Sequence, residues 1–152
     1  MKRIFTLFLA LCCLVPMTAC SKSQVLEDFD NVLQAVGSAV LTDSGDLQGR
    51  RRFGADSYVG SYEAGYESFS GWEVLFGGTG LGRELGNEIR ISGTLRTKGG
   101  TLRLMLQSGA DEPVVLCDAA GPFSATVELP PASNYIFVTA EGFTGSLDLT
   151  IE

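Results

Sequence analysis

The chain has 152 residues, with 11 Lys+Arg against 18 Asp+Glu, a formal net charge of −7 and no His. Acidity of this size argues against nucleic acid and against an anionic membrane surface as partners. Without His there is no Ser-His-Asp triad, Cys-His pair or His-ligated zinc site to assemble, and neither G-x-S-x-G nor S-x-x-K occurs.

Lys2 and Arg3 open the chain, "IFTLFLALCCLVPM" follows without a charge, and the small residues Thr18-Ala19 precede Cys20. A charged start, a short apolar stretch and a small-residue cleavage point predict a secretory signal peptide over residues 1–19. The apolar stretch is too short for a membrane-spanning helix. "MTAC" resembles the lipobox of bacterial prolipoproteins, with Met17 standing where that family prefers Leu. The resemblance covers the first 20 residues. It implies that Cys20 receives a diacylglyceryl group, becomes the mature N-terminus and carries palmitate-type acyl chains. The protein would then be lipid-anchored on the extracytoplasmic face of a cell membrane, or of the outer membrane in a two-membrane cell. Acyl chains anchor a domain because each buried CH₂ contributes about 0.8 kcal/mol. Loss of the leader removes two of the 11 basic residues and none of the 18 acidic ones, taking the formal balance to −9.

Residues 20–23 form a short tether. From Gln24 to Leu41 the apolar residues Val25, Phe29, Val32, Val36 and Val40 recur at three or four, which predicts an amphipathic helix. Ser23 is its N-cap and Gly45 its breaker, so helix and turn occupy 24–45. The stripe suits packing on the domain behind it or association with another protein.

From residue 46 the period changes to two. "SYVGSYEAGYESF", "EIRISGTLR" (Ile89, Ile91, Gly93 and Leu95 on one face), "TLRLMLQ" (Leu102, Leu104 and Leu106 on one side) and "PFSATVEL" alternate, "PVVLCD" is short and apolar, and "NYIFVTAE" and "GSLDLTIE" finish the chain. About eight short strands are expected over 46–152, with "TKGG" as a turn between two of them. Clean alternation is an antiparallel signature. The fold expected is mainly β, an antiparallel, jelly-roll-like β-sandwich preceded by one N-terminal α-helix. The ending resembles the last two strands of secreted jelly-roll and carbohydrate-binding modules. "FSG…LFGGT" and "FTGSL" are similar to phrases in a group of small bacterial surface lipoproteins, a likeness that implies no activity.

"EVLFGGTGLGREL", residues 73–85, has the look of a phosphate loop. The fingerprint fails: Gly77, Gly78 and Gly80 would each need a further Gly at 83, which is Arg83, and the segment beyond alternates as a strand. A loop whose glycines take positive φ or admit a close strand is expected, with no nucleotide bound. Arg50-Arg51-Arg52 reads as a solvated turn or strand start. Cys117 reads as a small buried hydrophobe. Asp43, Asp46 and Asp56 read as solvated turn acids without EF-hand spacing, so no metal site and no cofactor are assigned. Glu63 and Glu67 share a strand face about 13 Å apart, too far for a glycosidase pair.

Tyr58, Tyr62 and Tyr66 point the same way in a strand, with Gly60 and Ala64 between them. Turned outward with Trp72 nearby, the row is a candidate ligand platform for stacking on sugar rings. Turned inward it is a core face, the reading that Ser61, Glu63 and Glu67 on the opposite face favour. The function expected is a non-enzymatic extracytoplasmic binding module for a glycan or cell-envelope polymer. The alternative is an accessory lipoprotein that binds an envelope protein through the 25–41 helix or a sheet edge.

Overall fold

The computed structural model describes residues 41–42, 45–79 and 83–152. The leader, Cys20, the tether and the 24–41 helix, apart from Leu41, lie outside the described residues. Among the described residues there is no helix, and so none long and apolar enough to cross a membrane.

Six strands build one antiparallel sheet: β1 (Gly49–Phe53), β2 (Gly60–Thr79), β3 (Glu88–Ser108), β4 (Val114–Cys117), β5 (Gly121–Glu128) and β6 (Ser133–Ile151). The order is β1-β2-β6-β3-β4, and β5 pairs with β3 beside β4. The last strand lies at the centre and pairs along nearly its whole length with β2 on one side and β3 on the other.

Three strands run 19 to 21 residues, well beyond the usual five or six. That is why six strands stand where eight were expected. "TKGG" does not reverse the chain; it is a bulged stretch inside β3, and β2 and β6 continue in the same way through Ser68–Gly71 and Glu141–Gly142. The irregularities fall side by side: Tyr66 to Gly71 in β2, Ala140 to Gly145 in β6 and Thr97 to Thr101 in β3 are in register with one another. Gly100 (φ 69), Gly142 (φ 53) and Ser68 (φ 52) take left-handed backbone there. A bulge adds residues to one strand and bends it, and three neighbours bulged at one level bend the sheet as a unit.

Side-chain parity changes across the bend. In β3 the inward residues are Ile89, Ile91 and Leu95 before it, and Leu102, Leu104 and Leu106 after it. In β6 they are Ile136, Val138 and Ala140 before it, and Phe143, Leu147, Leu149 and Ile151 after it. Both halves of these strands contribute to one continuous apolar core. The fold-back is measurable along β2. Tyr62 and Glu73 are eleven residues apart, about 36 Å in a straight strand at 3.3 Å per residue. Their side-chain oxygens are 3.0 Å apart.

A smaller cluster, Val74, Tyr135 and Phe137, lies apart from the main core, with Leu41 and Met105 packed against it. Thr42 caps the neighbouring edge: the Val74 N–H donates to its hydroxyl at 2.8 Å.

Candidate functional site

The tyrosine row faces inward. Tyr58, Tyr62 and Tyr66 are 5, 0 and 3 % exposed, so they form no ligand platform. Trp72 does not join them; it is 37 % exposed and stands beyond the bend, paired with Thr139. The reason is the parity change. Trp72 would share the even-numbered face of Tyr62, Ala64 and Tyr66 in a straight strand, and the bulges between Tyr66 and Gly71 shift that register.

What turns inward instead is Glu73, 2 % exposed. The hydroxyls of Tyr62 and Tyr66 donate to its Oε2 at 3.0 and 2.9 Å, and stand 3.3 Å from each other. The Gln48 backbone N–H donates to Oε1 at 2.5 Å. Burial pushes the Tyr62 and Tyr66 phenols far above the ordinary range near 10, and the Glu73 charge adds to the effect. Closed off from solvent, this cluster cross-links the two halves of β2. A carboxylate is costly to bury, and the three donors are what make it tenable.

Arg51 closes the same side. It pairs with Tyr62 across β1 and β2, so its side chain points inward while those of Arg50 and Arg52 are exposed. Its guanidinium donates to the carbonyls of Val74 (3.2 Å), Leu75 (3.0 Å) and Thr42 (2.9 Å). The expected solvated Arg cluster therefore holds for its outer members only. Strand period two was the signal available in the sequence for the difference.

A surface concavity lies at the far end of β1 and β2. It is an open groove of about 440 Å³ in which Phe53, Leu85 and Ile151 supply apolar walls and Arg52, Arg83, Glu88 and Glu152 supply charge. Phe53 and Leu85 are 49 and 63 % exposed. Phe53 is held in place: its ring packs edge-on against Phe76 at 5.9 Å, and Arg51 lies over it at 4.7 Å. Arg83 is held too, donating to Asp56 at 2.8 Å and to the Gly86 carbonyl at 2.9 Å while lying over the Tyr58 ring. Asp56 also accepts the N–H groups of Tyr58 and Val59 at 2.8 and 3.1 Å, an Asx turn. Burial works to raise the Asp56 carboxyl, but the Arg83 bond and these N–H groups outweigh it and hold the group below its usual value. Asp56 is therefore a structural anchor of the groove wall. The sequence offered no signal for the groove, because Phe53 and Leu85 are 32 positions apart and come to line one concavity only through the fold.

Of the glycine-rich stretch, Gly77 lies inside β2 with φ 136, where a side chain would strike the Asn134 carbonyl of β6, and Gly86 turns the chain with φ 85. Glu63 and Glu67 are exposed, and Cys117 is a buried free thiol. Among the described residues no three acidic or Cys side chains cluster as metal ligands. Compared with known proteins, the chain matches no protein-family model and no curated sequence.

Proposed function

We propose that the protein is a lipid-anchored, extracytoplasmic, non-enzymatic interaction module that grips an envelope protein through the groove between Phe53 and Leu85. The observation that carries this is that two large exposed apolar side chains line one concavity, with Arg52 in the same lining. Aromatic and Arg residues supply most hot spots in protein interfaces. Phe53 is pre-positioned by Phe76 and Arg51, so little ordering entropy is lost when a partner covers it. The occupant that fits is a segment with an apolar side chain for the Phe53–Leu85 slot and an acidic neighbour for Arg52. A glycan or envelope polymer is the weaker reading, since the tyrosines are buried and Trp72 stands apart. In this proposal the bent sheet is a jelly-roll-like sandwich, the 24–41 segment is its N-terminal helix, and Cys20 bears the lipid.

The test is a photoreactive amino acid placed at Leu85 in the full chain in cells, with Arg103, exposed on β3 and outside the groove lining, as the control position. The reading expects one defined envelope protein cross-linked at 85 and not at 103, with the adduct lost in Phe53→Ala at unchanged folding. Retention on purified envelope polysaccharide that depends on Trp72 and ignores Phe53 would overturn it.

A further inference from the structure

The sheet has two unlike margins. On one, β1 presents Arg50 and Arg52, and charge on an edge strand opposes pairing with other chains. On the other, β5 is eight residues long, carries no charge before Glu128 and, among the described residues, pairs with β3 alone.

Register fixes which of its backbone groups are free. Arg90 exchanges both backbone bonds with Glu152, at 2.8 and 2.9 Å, so Arg90, Ser92 and Thr94 turn their N–H and C=O groups toward β6. Ile89, Ile91, Gly93 and Leu95 then turn theirs toward β5, where they meet Val127, Ala125, Phe123 and Gly121. The Leu129 N–H on the Asn87 carbonyl at 2.9 Å continues the same alternation. The even residues, Pro122, Ser124, Thr126 and Glu128, therefore direct their backbone away from the sheet. All four are exposed, and among the described residues none of their outward groups is bonded.

We propose that this edge pairs antiparallel with β5 of a second copy of the chain, about a twofold axis at Thr126. In that register Thr126 faces its own counterpart, and Ser124 faces Glu128 in both directions. Three features of β5 select self-pairing. Every residue in the new ladder has an N–H, because Pro122 falls outside it. Glu128 meets Ser124 and no carboxylate, so two chains of net charge −7 approach where their repulsion is least. Phe123 and Val127, only half-buried where they pack against the core, acquire apolar neighbours on the same face. Three reciprocal pairs give about six backbone hydrogen bonds, two per pair. Such a strip is smaller than a standard interface of about 1,600 Å², so the dimer is weak in dilute solution and favoured where chains are concentrated. The inference does not depend on the Phe53 groove.

The experiment is cysteine cross-linking of the full chain, with the unsubstituted chain setting the background from its own cysteines. A bifunctional thiol reagent spanning about 5 Å suits directly opposed residues. Thr126→Cys is expected to give covalent dimer. Ser124→Cys and Glu128→Cys are expected to fail alone, since each lies about 13 Å from its own counterpart, and to cross-link when mixed. Thr126→Pro removes the outward N–H without touching the β3 ladder, and is expected to abolish the dimer seen by sedimentation at high concentration. The proposal is overturned if Thr126→Cys gives no dimer, if all three positions cross-link alike, if Thr126→Pro self-associates like the parent, or if position 126 couples to a different protein.

Discussion

The Glu73 cluster makes the fold-back of β2 quantitatively testable. Tyr66→Phe removes one phenol–carboxylate bond, and such bonds to a charged group contribute about 1.5–3 kcal/mol each. Tyr62→Phe together with Tyr66→Phe leaves the buried carboxylate, among the described residues, with the Gln48 N–H as its remaining donor. Breaking a buried charge's partnership in this way costs about 3–5 kcal/mol, a large share of the roughly 5–15 kcal/mol that holds a domain folded. Adding Glu73→Met to the double variant removes the stranded charge and offers an apolar side chain to two Phe rings. Stability is then expected to return to within about 1–2 kcal/mol of the parent, the residual being chiefly the unpaired Gln48 N–H. The assay is urea unfolding followed by Trp72 fluorescence, comparing midpoints at equal m. The reasoning is refuted if the double Phe variant loses less than about 1 kcal/mol, or if Glu73→Met makes that variant worse. Either result would mean that the two halves of β2 do not meet at this carboxylate.

Alkaline pH tests the same cluster from the other side. Burial raises the Tyr58, Tyr62 and Tyr66 phenols in the fold, so the unfolded chain releases protons more readily above pH about 10. Their contribution is complete below that pH and is lost as pH rises above it. Tyrosinate absorbance at 295 nm is expected to develop for these residues together with unfolding and not before it. Two glycines separate strain from crowding. At Gly142 (φ 53) nothing lies within reach of an added side chain, so Ala is expected to cost about 1–2 kcal/mol and Asn, which tolerates this backbone, distinctly less. At Gly77 the Asn134 carbonyl blocks the space, so Ala and Asn are both expected to cost more than about 2 kcal/mol in the same urea assay.

What the sequence made legible was local, and what it hid was pairing. Alternation put Ile89, Ile91 and Leu95, and then Leu102, Leu104 and Leu106, on one face of β3 correctly, and Ser61, Glu63 and Glu67 opposite the tyrosines pointed to their burial. "TKGG" was misread because turns and bulges draw on the same residues. The difference lies in whether the neighbouring strands bend at the same level, and Tyr66–Gly71 and Ala140–Gly145 are 25 or more positions away from it. Glu73 was hidden for a related reason. In an unbroken strand it would point outward with Glu63 and Glu67, as an acidic residue of a wet face, and Trp72 would point inward with the tyrosines. The bulges between Tyr66 and Gly71 exchange them. The irregularity that folds the second half of β2 over the first is thus the same one that rotates Glu73 into the core, where the hydroxyls of Tyr62 and Tyr66 need an acceptor. Bend, parity and buried charge are one event, so no residue of the cluster could be assigned its role before the pairing of β2 with β6 was known.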